Sequence, residues 1–424
     1  MALSPVRFPS EVWNHIFQYL SAADKFSVRA SCRYFRKLID HWSLWKNWTI
    51  VLSFKNGPYN SEFWDSLRRR KVSSVVMRNT KTKDWSRLSL ALPTLTTVIM
   101  DQNSNGNLNF LQDFSHLNRL AIRSSAVLLD LLPQTQLQHL THLSMCNVLF
   151  PNKSNWSFLN LLPFLSSLTS VVCHNTNSFG QRDRMVDTLV SILPKLKHLS
   201  LSAKYISPQR DGSIFKPVTS LSSLEIIDCL DHSSPEDVGQ MISGLKCLRV
   251  FFKHSHQGRP EALSASVVYL KTWLSESAQL SNLTVVKGPP VRMYATSIPA
   301  TVTNLTLCVS GLSPRDMAAV AQQVPDLLHL HIDAWPSHLG AHTARIPELF
   351  PKLRSLKLRQ DHVPEKDFLR LQQLQDLECL EILDRGHWSD LYKKLQTLTR
   401  NRLRVVTSSP QRDAFHCPCV SQVY

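Results

Sequence analysis

The sequence predicts an α/β fold: a curved solenoid of repeats, with parallel strands on its concave face and helices on its convex face, preceded by a small all-α segment. Three observations point there. An apolar pattern of the form L-x-x-L-x-L recurs along most of the chain at nearly even steps. Apolar stretches with helical spacing lie between the copies. The first residues, up to about position fifty, break that rhythm and carry helical spacing throughout.

The repeat begins at Val72, Val75, Met77 and returns at Leu95, Val98, Met100, then Leu117, Leu120, Ile122 and Leu140, Leu143, Met145. A looser copy starts at Leu165 and Leu168. Leu196, Leu199, Leu201 and Leu221, Leu224, Ile226 follow. Near Leu248 the pattern is ambiguous, with Phe251 as a possible second anchor. Leu280, Leu283, Val285 and Val302, Leu305, Leu307 resume it. Leu327, Leu330, Ile332, then Leu353, Leu356, Leu358 and Leu377, Leu380, Ile382 are the last clear copies, and Leu403 with Val405 closes the array. Most steps fall in the window of roughly 20–29 residues expected of strand–helix repeats.

Physics accounts for the spacing. The L-x-L portion alternates apolar and polar residues, as a half-buried strand does. One such strand is too short to stand alone and must pair with the next copy. Between strands, Arg184–Leu193 and Met317–Val324 have the helical spacing of a convex layer. Pro93, Pro194, Pro325 and Pro351 stand just before first anchors, where proline ends a helix and starts an extended segment. Strands repeat every ~4.8 Å and helices need ~10 Å, so the stack is expected to curve.

From about Val72 to Val405 the chain resembles leucine-rich-repeat proteins of the strand–helix type. Those proteins usually place Asn or Cys three residues past the last strand anchor, to satisfy the turn. Cys229 fits, whereas Ser125, Lys204 and Trp335 stand at equivalent places. An irregular ladder is therefore expected.

The N-terminal segment reads Phe8-Pro9-Ser10-Glu11-Val12-Trp13-Asn14-His15-Ile16-Phe17-Gln18-Tyr19-Leu20. Val12, Ile16 and Leu20 share a helical face, with Trp13 and Phe17 beside them. Ser21 with Asp24 looks like a capping box opening a second helix. Val28, Cys32, Phe35, Leu38 and Ile39 continue the apolar spacing, and Trp42, Trp45 and Trp48 follow. So short a segment makes a poor independent core. It either caps the solenoid or buries a face in another protein.

The same residues resemble an F-box: L-P-x-E-[LV]-x-x-x-I-F-x-x-L, then D, V-R-x-x-C-x-x-[WF] and L-W. Pro9, Glu11, Val12, Ile16, Phe17, Leu20, Asp24, Val28, Arg29, Cys32, Phe35 and Trp45 occupy those places, with Phe8 for the usual leucine. An F-box followed by leucine-rich repeats is the order of the F-box/leucine-rich-repeat family. The resemblance implies a non-catalytic substrate receptor of an SCF ubiquitin ligase. Its F-box would dock on the Skp1 adaptor, and through it on a cullin and a RING protein. The adaptor contact carried over is Pro9, Val12, Ile16, Phe17, Leu20, Val28 and Cys32. Arg29, Arg33 and Lys37 are candidates to face an acidic adaptor. The division expected is an F-box-like domain over 1–50, the solenoid over 51–408 and a flexible tail over 409–424.

Substrate would lie on the concave strand face. The positions flanking the anchors there are Arg119, Arg123, His142, His198, His329, His331, Asp333, Ser355, Lys357 and Arg359. This polar, basic set suits an acidic or phosphorylated protein segment. It also fits strand residues that are merely solvated.

Composition narrows the alternatives. Glycine is scarce at 11 residues, and neither GxxxxGK[ST] nor GxGxxG occurs, which argues against a phosphate-loop enzyme. No apolar h-region opens the chain and no run suggests a membrane span, so the sequons at Asn155 and Asn282 carry no weight. Nine cysteines without framework spacing suit a reducing compartment, cytoplasm or nucleus. Cys417 and Cys419, and His254 and His256, lack metal-site spacing, so no metal or cofactor is expected. The net charge of +16 favours acidic partners. The one dense basic run, Arg68 to Lys71, is either a solvated helix end or an interaction patch. Two other readings stand beside the ligase: a repeat scaffold with no ligase link, and a nucleic-acid binder. The second lacks a stacking platform or a known module.

Overall fold

A computed structural model describes residues 8–45, 48–56, 59–103, 106–128, 138–150, 162–176, 185–203, 221–229, 242–252, 260–309, 311–334, 340–359, 363–383 and 389–408. The chain divides into two compact units, one of residues 1–168 with 175–178, the other of 169–174 with 179–424.

The first unit opens with three helices, α1 (Ser10–Gln18), α2 (Ala22–Ser31) and α3 (Arg33–Ile39). Ser21 caps α2: its Oγ accepts the Asp24 N–H at 3.1 Å. Cys32 caps α3 in the same way, its Sγ accepting the Phe35 N–H at 3.4 Å. Phe17, Ile39, Leu44 and Trp45 form the core of this bundle, with Trp13, Leu20, Val28, Phe35, Leu38 and Trp48 packed around it.

A parallel ladder follows: β1 (Thr49–Ser53), β2 (Ser74–Arg78), β3 (Thr97–Asp101), the two-residue β4 (Gly106–Asn107), β5 (Arg119–Leu128) and β6 (His142–Leu149). Each main strand pairs with the next copy, in the register Ile50↔Val75↔Val98↔Leu120↔Leu143. β4 pairs only with the far end of β5. The anchors of the sequence pattern are the buried residues. Val72, Val75 and Met77 are sealed, as are Leu95, Val98 and Met100. The ladder starts one strand before the first copy read in the sequence. Ile50 and Leu52 are its anchors, but no leading leucine precedes them, because the chain arrives directly from the helical bundle. Two helices return between the early strands, α4 (Ser61–Arg69) and α5 (Thr82–Ala91).

The second unit continues the same grammar in ten parallel strands: β7 (Ser170–His174), β8 (His198–Ser202), β9 (Ser223–Cys229), β10 (Cys247–Phe252), β11 (Asn282–Val286), β12 (Asn304–Val309), β13 (His329–Ala334), β14 (Ser355–Arg359), β15 (Cys379–Leu383) and β16 (Arg404–Ser408). Each pairs with its successor, without a strand out of order. Two sequence assignments are corrected here. The copy read from Leu165 is displaced by three positions: Leu168, Val171 and Cys173 are its buried anchors. In the ambiguous copy Leu248 and Val250 point inward and Phe251 does not. The helices expected from spacing are present as α6 (Met185–Ile192) and as Pro314–Gln323.

The proline signal has a local cause. Leu92, Val324 and Phe350 each end a helix with φ near −130° and ψ near 66°, and each precedes a proline. Proline disfavours the α region in the residue before it, so the helix stops there and the next strand can begin. Turns after strands use another device. Asn79, Gln102, Ser124, Asn147, Asn175 and Lys287 all have positive φ, each one residue past a strand or its main ladder. Asparagine tolerates that conformation best among non-glycine residues.

Candidate functional site

Two surfaces are candidates: the outer side of the helical bundle, and the strand face that points away from the apolar core. In α1 the apolar residues form two parallel stripes rather than one. Trp13, Phe17 and Leu20 turn inward, where Phe17 meets Trp13 and Phe35 with ring centroids 5.6 and 5.5 Å apart. Val12, Ile16 and Tyr19 occupy the adjoining stripe and remain 41%, 41% and 78% exposed. Pro9 and Cys32 are also exposed, while Leu20 and Val28 are half-buried. Of the seven residues expected at the adaptor, Phe17 is therefore corrected: at 2% exposure it serves this chain's own core. Arg29 is corrected likewise, since its guanidinium donates to both oxygens of Asp40 at 2.8 and 3.0 Å. Arg33 and Lys37 stay exposed.

The same Asp40 also receives Arg70, whose Nη2 lies 2.8 Å away. Arg70 is buried, and its guanidinium stands 4.5 Å from the Trp45 ring and 5.4 Å from Phe26. Burial raises the Asp40 pKa, but hydrogen bonds from Arg29 and Arg70 outweigh it and hold the carboxyl below the usual range. The basic run Arg68–Lys71 stands at the end of α4, with Arg70 turned inward and Arg68, Arg69 and Lys71 exposed. Arg68 reaches Asp65 and the Ala91 carbonyl, and Lys71 lies over Trp42.

On the strand face of the second unit the expected cations are largely neutralised. Arg359 donates to both carboxylate oxygens of Asp333 at 2.8 and 3.2 Å. Lys357 donates to Glu381 at 2.7 Å, which Ser408 also approaches. Both pairs join neighbouring strands at matched register. His331 lies between them. Burial, with Lys357 nearby, lowers its pKa to about 4, so the ring is neutral at pH 7. His198 is lowered too, chiefly by burial, and its Nδ1 is 3.0 Å from Ser223 Oγ. His329 is exposed.

Further back in this unit the face carries a buried polar chain that the sequence reading missed. His174 Nε2 lies 2.7 Å from Ser200 Oγ, which donates to Glu225 at 2.6 Å, and Arg249 approaches the second Glu225 oxygen. The serine stands between the imidazole and the carboxylate. A hydrolytic triad needs the imidazole in the middle, so this order does not activate the hydroxyl. Burial and Asp333 push the Cys308 thiol up to about 12, and burial raises Cys173 as well, which leaves both protonated and poor nucleophiles.

In the first unit Arg119 is exposed and Arg123 half-buried, both on the non-core face of β5. Neither guanidinium has a hydrogen-bond or ion-pair partner among the described residues. His142, in register with Arg119, holds its Nδ1 2.8 Å from Thr141 Oγ1. The missed residue here is Asn103, three positions past Met100, where the repeat signature calls for asparagine. Its Oδ1 accepts both the N–H and the hydroxyl of Thr80 at 2.9 Å, and its own N–H donates to Ser125 Oγ at 3.1 Å. Ser125 thus fills the asparagine's place in the next copy.

His254, His256, Cys417, Cys419, Lys204 and Trp335 lie outside the described residues. Among the described residues no group of three or more His, Cys, Asp or Glu side chains could hold a metal ion, and no helix is long and apolar enough to cross a membrane.

Residues 6–50 match the F-box-like family model. This is an F-box ahead of leucine-rich repeats. Its bundle supplies the three helices and the exposed stripe, and the register of the two ladders supplies the repeats. No curated protein matches the chain. Among solved structures it is similar to the internalin InlF of Listeria monocytogenes, with 14% identity and a TM-score of 0.36 over 76% of this chain and 82% of that one. It is also similar to the leucine-rich repeat-containing protein LegL7 of Legionella pneumophila, with 11% identity and a TM-score of 0.40 over 82% and 98%. A third similarity is to the Toll–Spatzle complex of Drosophila, at 15% identity and a TM-score of 0.41 over 85% of this chain and 55% of that one. The F-box and the repeats are both modules that generally work by interaction rather than by catalysis.

Proposed function

We propose that this F-box/leucine-rich-repeat protein is a substrate-recognition subunit of an SCF ubiquitin ligase, working in the cytoplasm or nucleus. The F-box seats on the Skp1 adaptor, which links it to a cullin and a RING protein, and the repeats hold the substrate. The observation that carries this reading is the second stripe of α1. Val12, Ile16 and Tyr19 remain exposed although the bundle's own core is already closed by Phe17, Ile39, Leu44 and Trp45. A helix that only capped a repeat array would turn its apolar surface inward and leave polar residues outside. Pro9 and Cys32 are exposed as well.

The mechanism is positional. Holding a substrate lysine near a charged conjugating enzyme raises its effective concentration. No side chain of this chain needs to touch the thioester. The test is co-expression with Skp1. Wild type should co-purify with the adaptor, and Val12→Asp with Ile16→Asp should abolish that while leaving the melting temperature of the chain nearly unchanged. Leu20 is a poorer choice, because it packs on the bundle's core and its loss would confound folding with binding. Full retention of the adaptor by the double variant would reject the interface.

A further inference from the structure

Charge pairing sorts the strand-face cations into two classes. Arg359, Lys357 and Arg249 are each committed to a carboxylate of a neighbouring strand. Arg78 is committed to Asp101 at 2.8 Å. Arg119 and Arg123 are not committed to any acceptor among the described residues, and the Arg123 Nε is buried with its hydrogen-bonding capacity unused. Arg404 on β16 is likewise unpaired among the described residues, but it stands singly on the last strand, whereas Arg119 and Arg123 share one strand and one face. A buried cationic nitrogen left without an acceptor is a cost to the free protein that an incoming anion removes.

The spacing of the pair defines what fits. Arg119 and Arg123 lie on one strand and one face, four residues apart, hence about 13 Å. Between them is Ala121, flanked in register by Ile99 and Ser144. The floor is therefore low at Ala121 and on its Ser144 side, where a second backbone can approach it closely. We propose that the strand face around β5 binds an extended acidic segment of a protein partner, with two carboxylates four residues apart set on Arg119 and Arg123. Small side chains between those carboxylates cross Ala121. The inference rests on the receptor reading above and names the substrate class for one part of the repeat array. Asp101, in register with Arg123, is itself held by Arg78, and among the described residues no second unpaired cation adjoins either arginine, so each matches a single-charge carboxylate. A phosphate dianion calls for converging cations, and ~13 Å is too far for two guanidinium groups to share one. The face of β13 to β15, by contrast, is already neutral by its own pairs and is assigned no anion.

The experiment measures binding of a fluorescein-labelled peptide to the full chain in complex with Skp1. The peptide carries two aspartates four residues apart in a Ser/Thr/Gly background. Arg119→Ala and Arg123→Ala should each weaken it roughly tenfold, and asparagine in place of both aspartates should abolish it. Lys357→Ala with Arg359→Ala should leave it unchanged. Unaltered binding by the double arginine variant, dependence on Lys357 and Arg359, or absence of binding to wild type overturns the proposal. So does a much tighter fit of a singly phosphorylated peptide or of generic duplex DNA. Skp1 co-purification is read on the same samples. Wild type that carries Skp1 but takes no peptide defeats this inference alone, and wild type that purifies without co-expressed Skp1 yet binds the peptide through Arg119 and Arg123 defeats the ligase reading alone.

Discussion

Asn103 shows how one side chain holds two turns of a ladder together. Its amide group bridges Thr80 and the Met77 carbonyl in the preceding copy, while its backbone N–H donates to Ser125 in the next. Asn103→Ala leaves the Thr80 N–H without its acceptor and should cost about 1–3 kcal/mol in urea unfolding. Ser125→Ala should cost less, because only the Asn103 N–H and the Arg123 carbonyl lose a partner. His331 makes a pH prediction. Its folded pKa, about 4, lies below the ordinary histidine value because burial and Lys357 disfavour the charged ring. The unfolded chain therefore binds more protons between those values. The stability this neutral ring supplies is complete above about pH 6.5 and is lost as pH falls towards 4. Substituting His331→Gln should flatten that part of the stability–pH curve, and an unchanged slope would contradict the burial argument. The histidines and arginines of the strand face were legible as residues of one side, since alternation fixes side. Their partners were less obvious, yet aligning copies rung by rung sets Lys357 against Glu381 and Arg359 against Asp333. That alignment would have revealed the neutralisation.

Among the elements, α1 is amphipathic as its sequence predicts, with two apolar stripes where the spacing of Val12, Ile16 and Leu20 suggests one. The two stripes, Trp13–Phe17–Leu20 and Val12–Ile16–Tyr19, have the same spacing, so periodicity alone cannot say which is core. Packing decides it, because Phe35 and Trp13 close around Phe17. A second element-level feature was hidden in the basic run. Arg70, the cap residue of α4, reaches back to Asp40 at the end of α3 and lies against Trp45. That contact ties the F-box bundle to the first repeat helix within one compact unit. Arg70→Ala should cost about 3 kcal/mol, since it strips a buried ion pair and a ring contact. Arg29→Ala, on the more exposed side of the same carboxylate, should cost at most about 1 kcal/mol. Equal losses for the two would show that burial does not set the value of this node. Chemical denaturation of the two variants in parallel reads the difference.

For the whole molecule, the ladder was legible because each copy repeats the same demand: three apolar anchors, an extended stretch and a turn. What failed was local. The copy at Leu168 shares its leucines with the turn before it, and the strand at Thr49–Ser53 lacks a leader because it follows directly on the F-box. The net charge of +16 is a property of the surface and does not mark a single basic site. On the described strand faces most arginines and lysines are paired, and the unpaired ones are Arg119 and Arg123 on β5 and Arg404 on β16. The layout supports the proposed division of labour, in which the apolar stripe of the F-box meets the adaptor and the polar face of the repeats meets cargo. The most direct test of that division is hydrogen–deuterium exchange of the full chain with and without Skp1. Protection should appear in Ser10–Gln18 and its neighbouring helices, with the strands from Thr97 onward unchanged. Protection confined to the repeat strands, or none in the first helix, would contradict it.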